Sequence, residues 1–92
     1  MQISDIRINL LQNAGRLKAL VSVTFENAFV VHGIKVIQGD KELFIAMPSK
    51  RCENGGFRDV AHPINADLRA YIQKMILDKY EQMICERPLR SR

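Results

Sequence analysis

The chain has 92 residues, 47% of them hydrophobic, with 14 Lys and Arg against 10 Asp and Glu for a net charge of +4. That length holds one domain with a small core, so association is a natural way to bury more surface. No apolar run approaches the roughly 18 residues of a membrane span, and the charged, alternating opening MQISDIRINL is not a signal peptide.

The two cysteines, Cys52 and Cys85, lie far apart and form no CxxC motif. Free thiols and a cytoplasmic location are expected. The mild positive charge permits a nucleic-acid partner without requiring one.

In chain order, Gln2 to Leu11 alternates, with Ile6, Ile8 and Leu10 on one side and Asp5, Arg7 and Asn9 on the other. Period two predicts a half-buried strand. Asn13-Ala14-Gly15 is a turn, and Arg16 to Phe25 alternates again before the tight turn at Glu26-Asn27. Phe29 to Ile37 is apolar at both parities apart from His32, Gly33 and Lys35, which predicts a central strand covered on both faces. Gly33 within it suggests a bulge or a close backbone approach. A fourth strand is expected over Leu43 to Met47 and a fifth over Phe57 to Ala61, with antiparallel pairing because the connections are short.

From Ala66 the period changes. Leu68, Ile72, Met75, Ile76, Tyr80, Met83 and Ile84 form a helical stripe. Asn65 suits an N-cap, Asp67 suits the first turn, and Pro88 ends the helix or lies just beyond it. The fold class is therefore α+β: an antiparallel four- to five-stranded sheet followed by one long C-terminal helix. Residues 1–87 form a single sheet-plus-helix domain, and residues 88–92 form a short basic tail expected to be disordered. One helix covers one sheet face, so the other face and the sheet edges predict a homodimer; a sheet curled upon itself is the alternative.

Little points to catalysis. His32 lies mid-strand and reads as a hydrogen-bonded structural residue; His62 precedes Pro63 and reads as a tie for the turn. Cys52 beside Arg51 has no histidine near it in sequence, and a Cys-His nucleophile is weakly supported. There is no phosphate-binding glycine motif, no metal-ligand spacing and no paired carboxylates. An enzyme is not expected, nor is a cofactor, a metal, a membrane or a small-molecule substrate.

The stretch MPSKR at 47 to 51 raises a different possibility. Lys50 and Arg51 follow Pro48 on a turn, and Arg58 returns beyond Gly55-Gly56. Ser49, Lys50, Arg51, Asn54 and Arg58 cluster around this excursion, and Arg69 and Lys74 on the helix extend the cationic set. Pattern alone leaves two readings open: solvated loop charges, diluted by Glu53 and Asp59, or a grip on phosphate. The six aromatics fall mostly on core parities, so no stacking platform for bases is expected.

FVVHGIKVI at 29 to 37, LFIAMPSKR at 43 to 51 and GGFRDVAHPIN at 55 to 65 resemble the stage V sporulation protein G family of bacteria. The resemblance covers roughly residues 1 to 85. It implies a small cytosolic dimer that binds specific DNA sites, in some members RNA as well, and tunes gene expression. In spore formers such proteins influence asymmetric septation, and in other bacteria surface and virulence functions. Carried over by position, the family's basic loop falls on Lys50 and Arg51 with Arg58 close behind. Cys52 stands where relatives often have a small polar residue. The basic tail, with Arg87, Arg90 and Arg92, replaces the acidic end of many relatives. The competing expectation is a protein–protein interaction module that acts on a division or regulatory partner without touching nucleic acid.

Overall fold

A computed structural model describes residues 1–85. Strands β1 (Ile3–Leu10), β2 (Leu17–Phe25), β3 (Phe29–Gln38) and β4 (Leu43–Ala46) form one antiparallel sheet in the order β1-β2-β3-β4. Each strand pairs with its predecessor because the turns between them are too short for a crossover.

The alternation seen in the sequence becomes the two faces of this sheet. Ala19, Val21, Val23 and Phe25 of β2, with Ile34 and Val36 of β3 and Ile45 of β4, are buried on one face. Ile6 of β1 and Met47 just after β4 join them. Gly33 is where β3 departs from regular pairing. Val21 lies opposite Ile34 and Val23 opposite Val31, so two steps of β2 answer three of β3. The additional residue makes a bulge at His32-Gly33. Gly33 holds φ +83°, a region that favours glycine, and a Cβ there would stand 3.4 Å from Pro48 Cβ. That separation is ordinary contact, so any cost of a side chain at this position is conformational.

Helix α1 (Ala66–Cys85) closes the buried face. Asn65 caps it: its Oδ1 accepts a 2.7 Å hydrogen bond from the Leu68 amide. Asp67 sits in the first turn, where the helix dipole favours a carboxylate. Ile72, Ile76 and Tyr80 turn inward onto the sheet. Two polar struts fix the helix against the outer strands. The Ile3 amide of β1 donates to the Tyr71 hydroxyl at 3.1 Å. The Arg69 guanidinium donates to the Ile45 carbonyl of β4 at 3.2 Å. The expected extension of the domain to residue 87, and the tail 88–92, lie outside the described residues.

Two features differ from the sequence expectation. The segment after Pro48 is not a loop. Ser49–Arg51 forms strand β5, which pairs antiparallel with β6 (Phe57–Asp59) as a separate two-stranded sheet. The fifth strand expected over Phe57 to Ala61 thus ends early and joins this ribbon. Secondly, β3 is not covered on both faces within one chain. Val30 is 42% exposed and His32 is also exposed, while Leu20 and Phe44 lie open on the neighbouring strands. One helix reaches only one face, and nothing among the described residues covers the other.

Candidate nucleic-acid interface

The β5–β6 ribbon is built mostly by its backbone. The Val60 amide donates to the Pro48 carbonyl at 2.7 Å, and the Cys52 amide donates to the Gly56 carbonyl at 2.8 Å. Between these two rungs the register is Ser49 opposite Asp59, Lys50 opposite Arg58, and Arg51 opposite Phe57. The tip turns at Cys52 to Gly56. There the Gly55 amide donates to the Cys52 carbonyl at 3.0 Å, and Gly55 holds φ +91°. Asn54 Oδ1 accepts from the Gly56 amide at 3.2 Å and steadies the tip.

All six strand residues of the ribbon are exposed. Opposed residues share a face and successive residues alternate. One face therefore carries Lys50 and Arg58, and the other carries Ser49, Arg51, Phe57 and Asp59. Like charges set directly opposite each other destabilise an antiparallel pair. Among the described residues Lys50, Arg51 and Arg58 form no salt bridge, whereas Arg7 pairs with Asp5, Arg16 with Asp40 and Lys74 with Asp78. The three ribbon cations are thus drawn together by the hairpin and left without a salt bridge among the described residues.

The remaining sequence-predicted residues have other partners. Asn54 holds the tip turn through its Oδ1 and keeps its side-chain amide for a further contact. Arg69 is tied to β4 through Ile45. Lys74 is bonded to Asp78 at 3.0 Å, one helical turn away. His62 lies at the approach to the helix, with Nδ1 3.1 Å from the Pro63 carbonyl. His32 Nδ1 stands 2.8 Å from Ser22 Oγ on the open sheet face, beside a shallow hollow that Arg7 also lines.

Sequence reasoning missed Phe57. The aromatics fall mostly on core parities and none stands out as a platform, yet Phe57 is 74% exposed. The available signal was its setting: a lone aromatic between Gly56 and Arg58 has no apolar neighbour at i±2 to share a buried face, since Gly55 and Asp59 occupy those positions. Among the described residues no group of three or more His, Cys, Asp or Glu is arranged to hold a metal ion. No described helix is long and apolar enough to cross a membrane.

A four-stranded antiparallel sheet backed by one helix, with a separate cationic ribbon, defines a small α+β protein whose distinctive surface is a hairpin. The SpoVG family model matches residues 1–82, and the chain belongs to the SpoVG family. Its relatives include a protein of Clostridium perfringens, 58% identical over 83 residues that span 90% of this chain and 92% of the relative. A protein of Caldicellulosiruptor saccharolyticus is 55% identical over 84 residues, 91% of this chain and 96% of its own. One of Acetivibrio thermocellus is 58% identical over 83 residues, 90% of this chain and 88% of its own. Each carries the name "Putative septation protein SpoVG".

Proposed function

We propose that the protein is a dimeric, cytoplasmic, non-catalytic nucleic-acid-binding regulator, with DNA as ligand and RNA as a second one, acting in the septation and sporulation setting for which its relatives are named. The observation that carries the reading is Lys50 directly opposite Arg58, with Arg51 beside them, on a ribbon with no buried strand residue. The ribbon gains nothing for its own stability from this arrangement. An anion lying along it removes the repulsion, and phosphates spaced along a strand supply such an anion repeatedly.

Dimerisation has its own support. A cavity of about 250 Å³ opens between the sheet and the start of α1, lined by apolar residues that include Phe25, Phe29, Met47 and Ile72. Ile64 at 89% exposed and Val60 at 67% lie in the segment that leads into the helix. A second copy covers such a surface reciprocally, each protomer offering both rim and cavity.

The test is fluorescence anisotropy with fragmented bacterial DNA and RNA at several salt concentrations. The expected result is salt-dependent binding by the wild type. Lys50→Ala/Arg51→Ala/Arg58→Ala, folded and with unchanged assembly, binds weakly, and its log–log salt slope on duplex is shallower by about 2–3. Wild-type protein that binds neither pool at low salt removes this reading and leaves the protein–protein interaction module.

A further inference from the structure

We infer that the ribbon binds unpaired bases, so that the ligand is single-stranded nucleic acid with one base stacked on Phe57. The inference rests on the nucleic-acid reading above and narrows it to a strand state.

The geometry begins with the rungs of the hairpin. In an antiparallel pair, hydrogen-bonded and non-hydrogen-bonded couples alternate. The Val60–Pro48 and Cys52–Gly56 bonds fix two of the hydrogen-bonded couples. Lys50 opposite Arg58 is the hydrogen-bonded couple midway between them. Arg51 opposite Phe57 is then a non-hydrogen-bonded couple, the kind in which side chains approach most closely. A guanidinium plane and a phenyl ring thus stand side by side on one face of the ribbon. Both are surfaces on which a splayed-out base stacks.

Exposure supports the same assignment. Phe57 is 74% exposed, and its cross-strand partner is a cation rather than an apolar residue. The ring therefore contributes little to the fold it sits on. Arg51 stands beside the ring on the same face, and Lys50 and Arg58 carry long cationic chains on the opposite face, able to reach past the ribbon edge to the phosphates that flank the stacked base. Ser49 and Asp59 complete the same face at the base of the ribbon. A carboxylate there repels phosphate and accepts hydrogen bonds from base amino groups, so this face favours bases and the Lys50–Arg58 face favours phosphates. In a duplex the bases are stacked on one another and their flat faces are out of reach, so only an unpaired strand satisfies both.

The experiment uses a labelled mixed-sequence 15-mer as single-stranded DNA, as single-stranded RNA and as the DNA duplex. Wild-type protein is expected to bind the single strands at least about tenfold more tightly than the duplex at equal salt. Phe57→Ala loses about tenfold on the single strands and nothing on the duplex, with an unchanged salt slope. Phe57→Tyr keeps the wild-type affinity, whereas Phe57→Leu, apolar but without a ring, behaves like the alanine variant. The chain has no tryptophan, so Phe57→Trp supplies a single emission signal that single strands quench. The two DNA and RNA arms separate the sources of the unpaired base. Sedimentation of each variant monitors assembly.

Preference for duplex, or wild-type single-strand affinity in Phe57→Leu, overturns the inference. So does a Phe57→Ala variant that dissociates the protein into monomers while keeping its strand binding, since the ring is then an interface group. If the triple cationic variant loses binding while Phe57→Ala retains it, stacking falls and the nucleic-acid reading stands. If wild type binds no strand in any form, both fall together.

Discussion

Arg69 shows how one side chain is both a cation and a structural strut. Its bond to the Ile45 carbonyl links the start of α1 to the outermost strand β4. Replacing it with Met keeps much of the aliphatic packing and removes the donor. Arg69→Met is expected to cost about 1–2 kcal/mol, read from urea unfolding. If Arg69 also meets phosphate, the same variant has a salt slope shallower by about 0.9 on duplex. Tyr80 offers a second test at this scale. Burial among the core residues raises its phenol above the usual 10.0, because the fold disfavours the phenolate. The group's contribution is therefore intact below about pH 10 and is lost as pH rises through the higher folded value. Tyr80→Phe should flatten the alkaline loss of stability above pH 10 while changing neutral-pH stability by less than about 1.5 kcal/mol. A variant as alkali-sensitive as the wild type would place the sensitivity in another group.

The ribbon is the element whose sequence, stability and proposed use pull in different directions. Lys50→Glu sets a carboxylate opposite Arg58 in place of a like charge. The exchange should stabilise the hairpin by about 0.2–1 kcal/mol, seen as slower hydrogen exchange at the Val60 and Cys52 amides. Nucleic-acid binding should fall by about tenfold or more, because one phosphate contact is lost and a repulsive one gained. Unchanged binding in the stabilised hairpin would remove the ribbon from the interface. The same element explains what the sequence could reveal. Strands β1 and β2 were readable because one face of each turns to the core, which imposes period two on their apolar positions, and β3 because its apolar run is nearly continuous. The bulge at Gly33 and the cap at Asn65 were readable because each needs a particular residue type. Ser49–Arg51 and Phe57–Asp59 have no buried face. No apolar alternation is imposed on them, and their pairing is specified by the tip turn and the backbone rungs alone. The candidate residues Lys50, Arg51 and Arg58 were legible as charges near Gly55, whereas Lys50 facing Arg58 and Arg51 facing Phe57 required the register.

At the scale of the whole molecule, apolar surface is left over in two places. The open sheet face carries Leu20, Val30 and Phe44, each between 36% and 42% exposed, interleaved with polar residues such as Ser22 and Thr24. The rim near the helix start is more exposed, with Ile64 at 89%, Val60 at 67% and Phe29 at 58%, and it adjoins a cavity. Partial exposure scattered among polar groups is common on soluble proteins, but a nearly bare isoleucine beside an apolar cavity is the stronger mark of an interface. The proposed dimer would therefore use the rim, and Ile64→Asp is the variant that tests it. A carboxylate buried at a symmetric interface occurs twice, and neither copy has a cationic partner supplied with it. Sedimentation velocity should give a dimer for the wild type and a monomer for Ile64→Asp, with the monomer retaining its secondary structure because Ile64 makes no part of the core. Strand binding by that monomer should persist at reduced affinity, since each ribbon is complete within one chain and only the second ribbon is lost. A wild type that sediments as a monomer at tens of micromolar rules out the stable dimer, whereas a dimer that survives Ile64→Asp moves the interface to the open sheet face, where Phe44→Asp is the corresponding test.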